Sequence, residues 1–360
     1  METALTSKHP GELLLSELSK LGMKQKELAL RTGLSEKHIS TVINGNKEIS
    51  ASFAHKLDIA LGATPGTWAK HQADYDAQMA EYNEKNGISE NELCIIKSLK
   101  DVIDYFIKVH IMDNHCGDTE KVLRLRKVLC VNNLSVIPQI TYNAAYRAQI
   151  NSSTNIDPYI LFAWQRMCEL LSDRITINEP FSAKKLSDSI ASIKKQMFIK
   201  NPNLMIKNLQ EIFSKAGVAF SVVRHFRGAP VQGFIKQTET GKIILCVTIR
   251  GKKADRFWFS LFHEIGHLIN GDLNTRFVDF DSVKTESEEK ADSFARDTLI
   301  NPTLYKAFIE SEKYQTLYSI KTFAQLIEVP YWIVIGRLHN DEWIDWSYLA
   351  NEVPSLEWEN

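Results

Sequence analysis

The chain is poor in cysteine. Cys94, Cys116, Cys130, Cys168 and Cys246 are scattered and form no C-x-x-C step. That excludes a disulfide framework and a thiolate zinc site, and fits reduced thiols in a cytoplasmic protein. No apolar run is long enough to span a bilayer, so no membrane partner is expected. Met1 to Pro10 lacks the apolar stretch of a signal peptide. Net charge is almost absent: 43 Lys plus Arg stand against 44 Asp plus Glu. The chain therefore has no polyelectrolyte surface, and any nucleic-acid binding must come from a local patch. Residues 1–75 hold 9 Lys plus Arg and 8 Asp plus Glu, a field that a homodimer would strengthen. There is no internal repeat and no low-complexity stretch. Gly228, Gly233 and Gly241 make no phosphate-loop pattern.

What is present reads as a globular protein, with 44% apolar and 24% charged residues. A length of 360 residues exceeds one ordinary core. The expected fold class is α+β and mostly helical. Residues 1–75 read as short helices with tight turns: a helix beginning at Leu13, Leu14 and Leu18 and stopped by Gly22, then Gln25 to Thr32, Ser35 to Ile43, and Ala51 to Leu61 ended by Gly62. Residues 76–200 read as a helical connecting or dimerising region. Leu93, Ile96, Leu99, Ile103 and Phe106 repeat at helix spacing, and breaks are expected at Asn114 to Asp118 and at Asn151 to Pro158. Residues 201–360 alternate strands and helices. Val218 to Val223, Val231 to Lys236 and Ile243 to Ile249 read as strands, and Asp255 to Ile269 and Glu286 to Leu299 as helices.

The segment His263-Glu264-Ile265-Gly266-His267 carries chemistry. Residues four apart share one face of a helix, so His263 and His267 can offer imidazole nitrogens to one ion. This is the H-E-x-x-H arrangement, with Glu264 as general base. Zinc lowers the pKa of a water it holds to about 7, so a neighbouring carboxylate can take the proton. Phe257, Trp258, Phe259, Leu261, Phe262, Ile265, Leu268 and Ile269 make this helix apolar, and buried imidazoles need partners. Gly266 leaves room for another element to approach. A catalytic site needs a third protein ligand. On the next helix Glu288 shares the buried face of Ala291, Phe294 and Ala295, and Glu289 is the alternative. Asp292 can hold a ligand imidazole by its second nitrogen. His225 and His339 are lone candidates for oxyanion stabilisation. The pair His115-Cys116 is too little for a metal site.

Phe257-Trp258-Phe259-Ser260-Leu261-Phe262-His263-Glu264-Ile265-Gly266-His267, Glu288-x-x-Ala291-Asp292-x-Phe294-Ala295 and Leu299-Ile300-x-Pro302 together resemble the ImmA/IrrE (DUF955) metallopeptidases. The resemblance covers roughly residues 200–340 and implies a minimal gluzincin-like α+β domain. It implies one Zn2+ per chain on His263, His267 and Glu288, with Glu264 as base. Lys290 and Asn301 depart from the family pattern.

The N-terminal segment has helix-turn-helix spacing. Counted from Gln25, small Ala29 is fifth, Gly33 ninth, Ile39 fifteenth and Val42 eighteenth. Ser35 caps the second helix. Glu36, Lys37, His38, Ser40, Thr41 and Asn44 then point outward toward a major groove, and Gln25, Lys26 and Lys47 can hold phosphates. His9-Pro10-Gly11-Glu12, Gln25-x-x-Leu28-Ala29, Ile39-Ser40, Ile43-Asn44-Gly45 and Gly62-x-x-Pro65-x-x-Trp68 resemble the HigA/XRE antitoxin repressors. That implies operator DNA, a HigB-like toxin and a homodimer as partners, although Glu36 departs from a plainly basic reading helix.

Two readings follow. One is a DNA-binding regulator with a zinc endopeptidase that cleaves a specific protein, the substrate pairing as an added strand along Ile243 to Ile249. The other is an antitoxin or repressor whose zincin fold only binds or senses a partner. Glu264 favours the first, because a purely structural site does not need it.

Overall fold

A computed structural model describes residues 8–114, 117–141, 156–248, 252–272, 277–280 and 286–357. The chain divides into two units, Met1–Leu93 with Gly117–Leu123, and Cys94–Cys116 with Arg124–Asn360. The expected break at Asn151 and the pair His115-Cys116 lie outside the described residues. No helix among the described residues is long and apolar enough to cross a membrane.

The first unit contains α1 (Pro10–Lys20), α2 (Gln25–Thr32), α3 (Glu36–Ile43), α4 (Ala51–Leu61) and α5 (Thr67–Asn86). Local chemistry sets the boundaries. Ser35 and Ser50 side chains accept the amides of His38 and Phe53, capping α3 and α4. Gly33 ends α2 in the left-handed conformation at φ 66°, which turns the chain into α3. Leu14, Leu18, Leu28, Ile39, Val42, Phe53, Leu57 and Trp68 form the core. Gly11 is required for space: a Cβ there would sit 2.1 Å from the Val42 carbonyl oxygen. Buried Asp58 accepts the amides of Gly66 and Trp68 at 2.7 and 3.2 Å, which fixes the turn into α5.

Then come α6 (Glu90–Ser98), α7 (Lys100–Lys108), α8 (Asp118–Leu129) and α9 (Ile137–Thr141). The expected single helix through Leu93 and Phe106 is two, because the chain breaks regularity at Leu99. The second unit continues with α10 (Pro158–Asp173), α11 (Ala183–Asp188), α12 (Ile190–Lys195) and α13 (Pro202–Lys215). After them come β1 (Val218–Val223), β2 (Val231–Gln237), β3 (Ile243–Thr248), α14 (Ala254–Asn270), β4 (Phe277–Phe280) and α15 (Glu286–Leu299). Last are α16 (Pro302–Glu310), α17 (Leu317–Leu326) and α18 (Tyr331–Asn340).

The sheet order is β1-β3-β2-β4, with β1 parallel to β3 and both other pairs antiparallel. Every residue of β1 and β3 is buried, as expected of strands covered on both faces. Val218, Phe220, Ile243, Leu245 and Val247 face the core shared with Phe213, Trp258 and Leu261. On the other face Ser221 and Cys246 meet α10, where Cys246 Sγ lies 3.8 Å from both Ser172 Oγ and the Cys168 carbonyl. Lys236 pairs with Glu169 of α10, and Trp164 meets Phe234 edge-on. Residues 158–173 are thus a layer of the sheet unit. The expectation of a connecting region over 76–200 does not describe them, because their apolar face is buried against strands.

Asp255, in the first turn of α14, is buried beneath α18. A Cβ on Gly336 would lie 2.5 Å from its Oδ2, and its Oδ1 has no hydrogen-bond partner. Burial pushes its carboxyl above the usual range, against the lowering pull of the Arg256 amide and charge. A raised folded-state pKa gives stability that is complete below the unfolded value and lost as pH rises through the folded one. Asp255→Asn cannot ionise, so its urea midpoint should rise relative to the parent chain as pH goes from 4 to 7. A difference independent of pH over that range would contradict this assignment.

Candidate metal centre and nucleic-acid interface

Helix α14 buries Phe257, Trp258, Leu261, Phe262, Ile265 and Leu268, which presents His263, Glu264 and His267 along one line of contact. Helix α15 crosses it closely. A Cβ on Gly266 would meet Ala291 Cα at 3.1 Å and Phe294 Cδ1 at 3.2 Å, so the glycine provides the room expected of it. This approach brings Glu288 to the imidazoles. His263 Nε2 and His267 Nε2 stand 3.0 Å apart, and Glu288 Oε2 lies 3.1 Å from the first and 3.6 Å from the second. Glu289 is exposed.

The other ring nitrogens are also held. His263 Nδ1 lies 2.8 Å from Asp292 Oδ1. His267 Nδ1 lies 3.1 Å from Asp272 Oδ2, which also accepts the Ser287 hydroxyl at 2.6 Å. Sequence reasoning missed Asp272. Gly271 ends α14 at φ 84° and folds the chain back, placing Asp272 beside the residue five positions earlier. A carboxylate at each Nδ1 favours the proton there in the neutral imidazole, which leaves Nε2 able to coordinate an ion, whereas a protonated imidazole donates from Nε2 to Glu288. Three electron-pair donors within 4.8 Å form a group that could hold a metal ion. No other such group of three occurs among the described residues.

The electrostatics agree with a site arranged for positive charge. Burial alone would raise the Glu288 carboxyl, but hydrogen bonds and charge from His263 and His267 bring it down to about 2. Burial would lower His267, yet Glu288, Glu264 and Asp272 outweigh it and raise the imidazole. Glu264 is fully buried, with its carboxyl against Gly233 of β2.

Other expectations fare differently. His339 is buried, bonds the Tyr348 carbonyl through Nε2 at 2.7 Å and stacks on Trp346, so it serves the C-terminal segment. His225 follows β1 and is not among the clustered ligands. Strand β3 cannot accept an added strand, because β1 and β2 occupy both its edges. Its uninterrupted apolar sequence marks a central strand rather than an edge.

In the first unit, Lys26, Glu36, Lys37, Asn44 and Lys47 are exposed, while Gln25, Ser40 and Thr41 are half-buried. Thr41 Oγ1 donates to the Lys37 carbonyl, and Asn44 Nδ2 lies 3.3 Å from Ser40 Oγ. His38 was expected to face outward, but its ring packs edge-on to Phe53 at 5.2 Å and its Nε2 is enclosed. It sits where the inner and outer faces of α3 meet. Burial lowers its pKa, and the charges of Lys47 and Lys56 add to that. Lys56 of α4 therefore joins Lys47 beside α3, a neighbour that α3 alone does not reveal.

Residues 17–68 match the helix-turn-helix family model, and this segment is a helix-turn-helix domain. Over 69 residues the chain is 39% identical to virulence-associated protein A' of Dichelobacter nodosus, covering 19% of this chain and 60% of that protein. The chain thus spans 60% of the length of that curated relative. Among solved structures, one described as an antidote protein of a plasmid maintenance system from Nostoc punctiforme is 32% identical. It covers 22% of this chain and 89% of its own, with a TM-score of 0.22. A second, an addiction module antidote protein of a HigA family from Coxiella burnetii, is 30% identical. It covers 26% and 91%, with a TM-score of 0.21.

Replacing Lys47 or Lys56 by Ala should weaken binding to promoter DNA irrespective of sequence. If each lysine neutralises one phosphate, each loss should flatten the slope of log K against log salt by about 0.9. Slopes equal to that of the parent chain would remove these lysines from the interface.

Proposed function

We propose that this chain is a DNA-binding regulator of the antitoxin type that also carries a zinc-dependent endopeptidase for one specific protein partner. The helix-turn-helix match over residues 17–68 supports the first half. In that role α3 of a homodimer reads operator DNA, and a HigB-like toxin is a natural partner. The observation that carries the second half is the convergence of His263, His267 and Glu288 beside buried Glu264. It is the arrangement that the resemblance to ImmA/IrrE gluzincins implies.

The donor set fits zinc: two imidazole nitrogens and one carboxylate oxygen, with one position left for a reactant. Zinc bound there would supply a Lewis acid that makes water a nucleophile near neutral pH. The chain's own residues do the rest. Asp292 and Asp272 hold the imidazole protons at Nδ1 and fix both rings. Glu288 adds the negative charge that offsets a divalent ion. Glu264 follows His263 directly, takes a proton from the attacking water at its carboxylate and passes it to the leaving amine. Glu264 is itself fully buried against Gly233, which limits solvent at that carboxylate. An extended segment of a partner can add only to a sheet edge, which excludes β3.

The test is co-expression of the chain with the product of its neighbouring gene, together with metal analysis of the purified protein. The parent should hold about one zinc per chain, and His267→Ala should lose it. Glu264→Gln should keep the metal while cleavage falls by roughly 10²–10⁴. Cleavage that persists in the Gln variant refutes the mechanism. A parent chain that holds zinc and binds the partner tightly without cutting it is a binding protein instead.

A further inference from the structure

We infer that Gly233 is the positioning residue for Glu264, and that the missing side chain on β2 is the slot in which the general-base carboxyl is held. The functional meaning of this slot rests on the peptidase reading above; the slot itself does not.

A Cβ built on Gly233 would lie 1.6 Å from Glu264 Oε1, 2.2 Å from its Cδ and 2.7 Å from its Cγ. The carboxyl therefore occupies the volume that any other residue would fill. Gly233 is not among the glycines with positive φ, so it is needed for space and not for backbone conformation. The strand cannot easily yield. Gly233 is in register with Val247 of β3, and the Val231 carbonyl two residues earlier accepts the Thr248 hydroxyl at 2.7 Å. On the other side the pairing of β2 with β4 shifts register between Val231 and Phe234, so Gln232 and Gly233 form an irregular step facing α14. Ser260, one helical turn before Glu264, donates to Gln232 Oε1 at 2.8 Å and ties that step to the helix.

Two glycines thus flank one motif. Gly266 sets how closely α15 and Glu288 approach the imidazoles, and Gly233 sets where the Glu264 carboxyl stands against the strand. An alanine at 233 would have to expel the carboxyl or move a strand held by β3. The first is the easier movement, since it needs only side-chain rotation. The positioning role therefore predicts loss of the base without loss of the metal ligands.

A double-mutant cycle in the full-length chain decides the matter, because it reads coupling between two positions whether or not a substrate is known. Gly233→Ala should lower the thermal midpoint by roughly 3–10 °C in the parent background, as overpacking does. In a Glu264→Ala background the same change should cost no more than about 1 °C. A single variant that fails to fold while the double variant folds is the same coupling at its largest. Equal losses in both backgrounds, or failure of both to fold, would overturn the inference. The second readout separates positioning from general damage. Folded Gly233→Ala should keep about one zinc per chain and cleave at least ten-fold more slowly. Cleavage at the parental rate would also overturn it. A parent chain that cuts no partner defeats the peptidase reading alone and leaves the cycle to judge the slot.

Discussion

The site depends on the close packing of α14 against α15 at Gly266 and Ala291. There two helix backbones come near enough for Glu288 on one to meet two imidazoles on the other. Spacing the helices apart by a single side chain would leave His263 and His267 as buried polar groups facing apolar neighbours, an arrangement that costs several kcal/mol. The packing is enforced by the core under α14, where Trp258, Phe262 and Ile265 seat the helix on the sheet. The same approach sets the outer contacts. Asp292 belongs to α15, and Asp272 is anchored through the Ser287 hydroxyl at the start of α15. Both imidazoles are therefore oriented by groups whose positions follow from the one helix crossing.

The helix-turn-helix lies in the first unit, and the His263, His267 and Glu288 cluster lies in the second. Residues 1–75 hold 9 Lys plus Arg against 8 Asp plus Glu, so their capacity for DNA lies in where a few lysines stand and not in a general field. Lys37 on α3, with Lys47 and Lys56 near His38, concentrates positive charge beside the reading helix. The second unit has a mixed sheet with helices on both faces, and its donor cluster is assembled from α14, which follows the central strand, and α15.

Local periodicity was legible in the sequence wherever one element decides the outcome. The pairing of His263 with His267 follows from helical spacing alone, and the burial phase set by Ala291 and Ala295 favours Glu288 over Glu289 without deciding between them. The cap at Ser35 and the left-handed Gly33 were likewise local. Features that need two distant segments were not legible. Asp272 reaches His267 only because Gly271 reverses the chain. Gly233 meets Glu264 across 31 positions, through a strand register that no spacing rule states. The apolar face of α10 shows that it is buried but not that a sheet buries it. The apolar run Ile243 to Val247 fits either a cleft wall or a central strand, and pairing by β1 on the second edge decides for the latter. His38 lies at the border between two faces of α3, where a small rotation separates a base-reading group from a packed one.

X-ray absorption at the zinc edge, on the full-length chain loaded with one equivalent of the metal, tests the central claim most directly. The account predicts a first shell of nitrogen and oxygen at about 2.0–2.1 Å with the outer-shell scattering of two imidazoles. It also predicts that this imidazole scattering disappears when both His263 and His267 are replaced. A shell containing sulfur at about 2.3 Å, or a spectrum unchanged by removal of the two histidines, would contradict it.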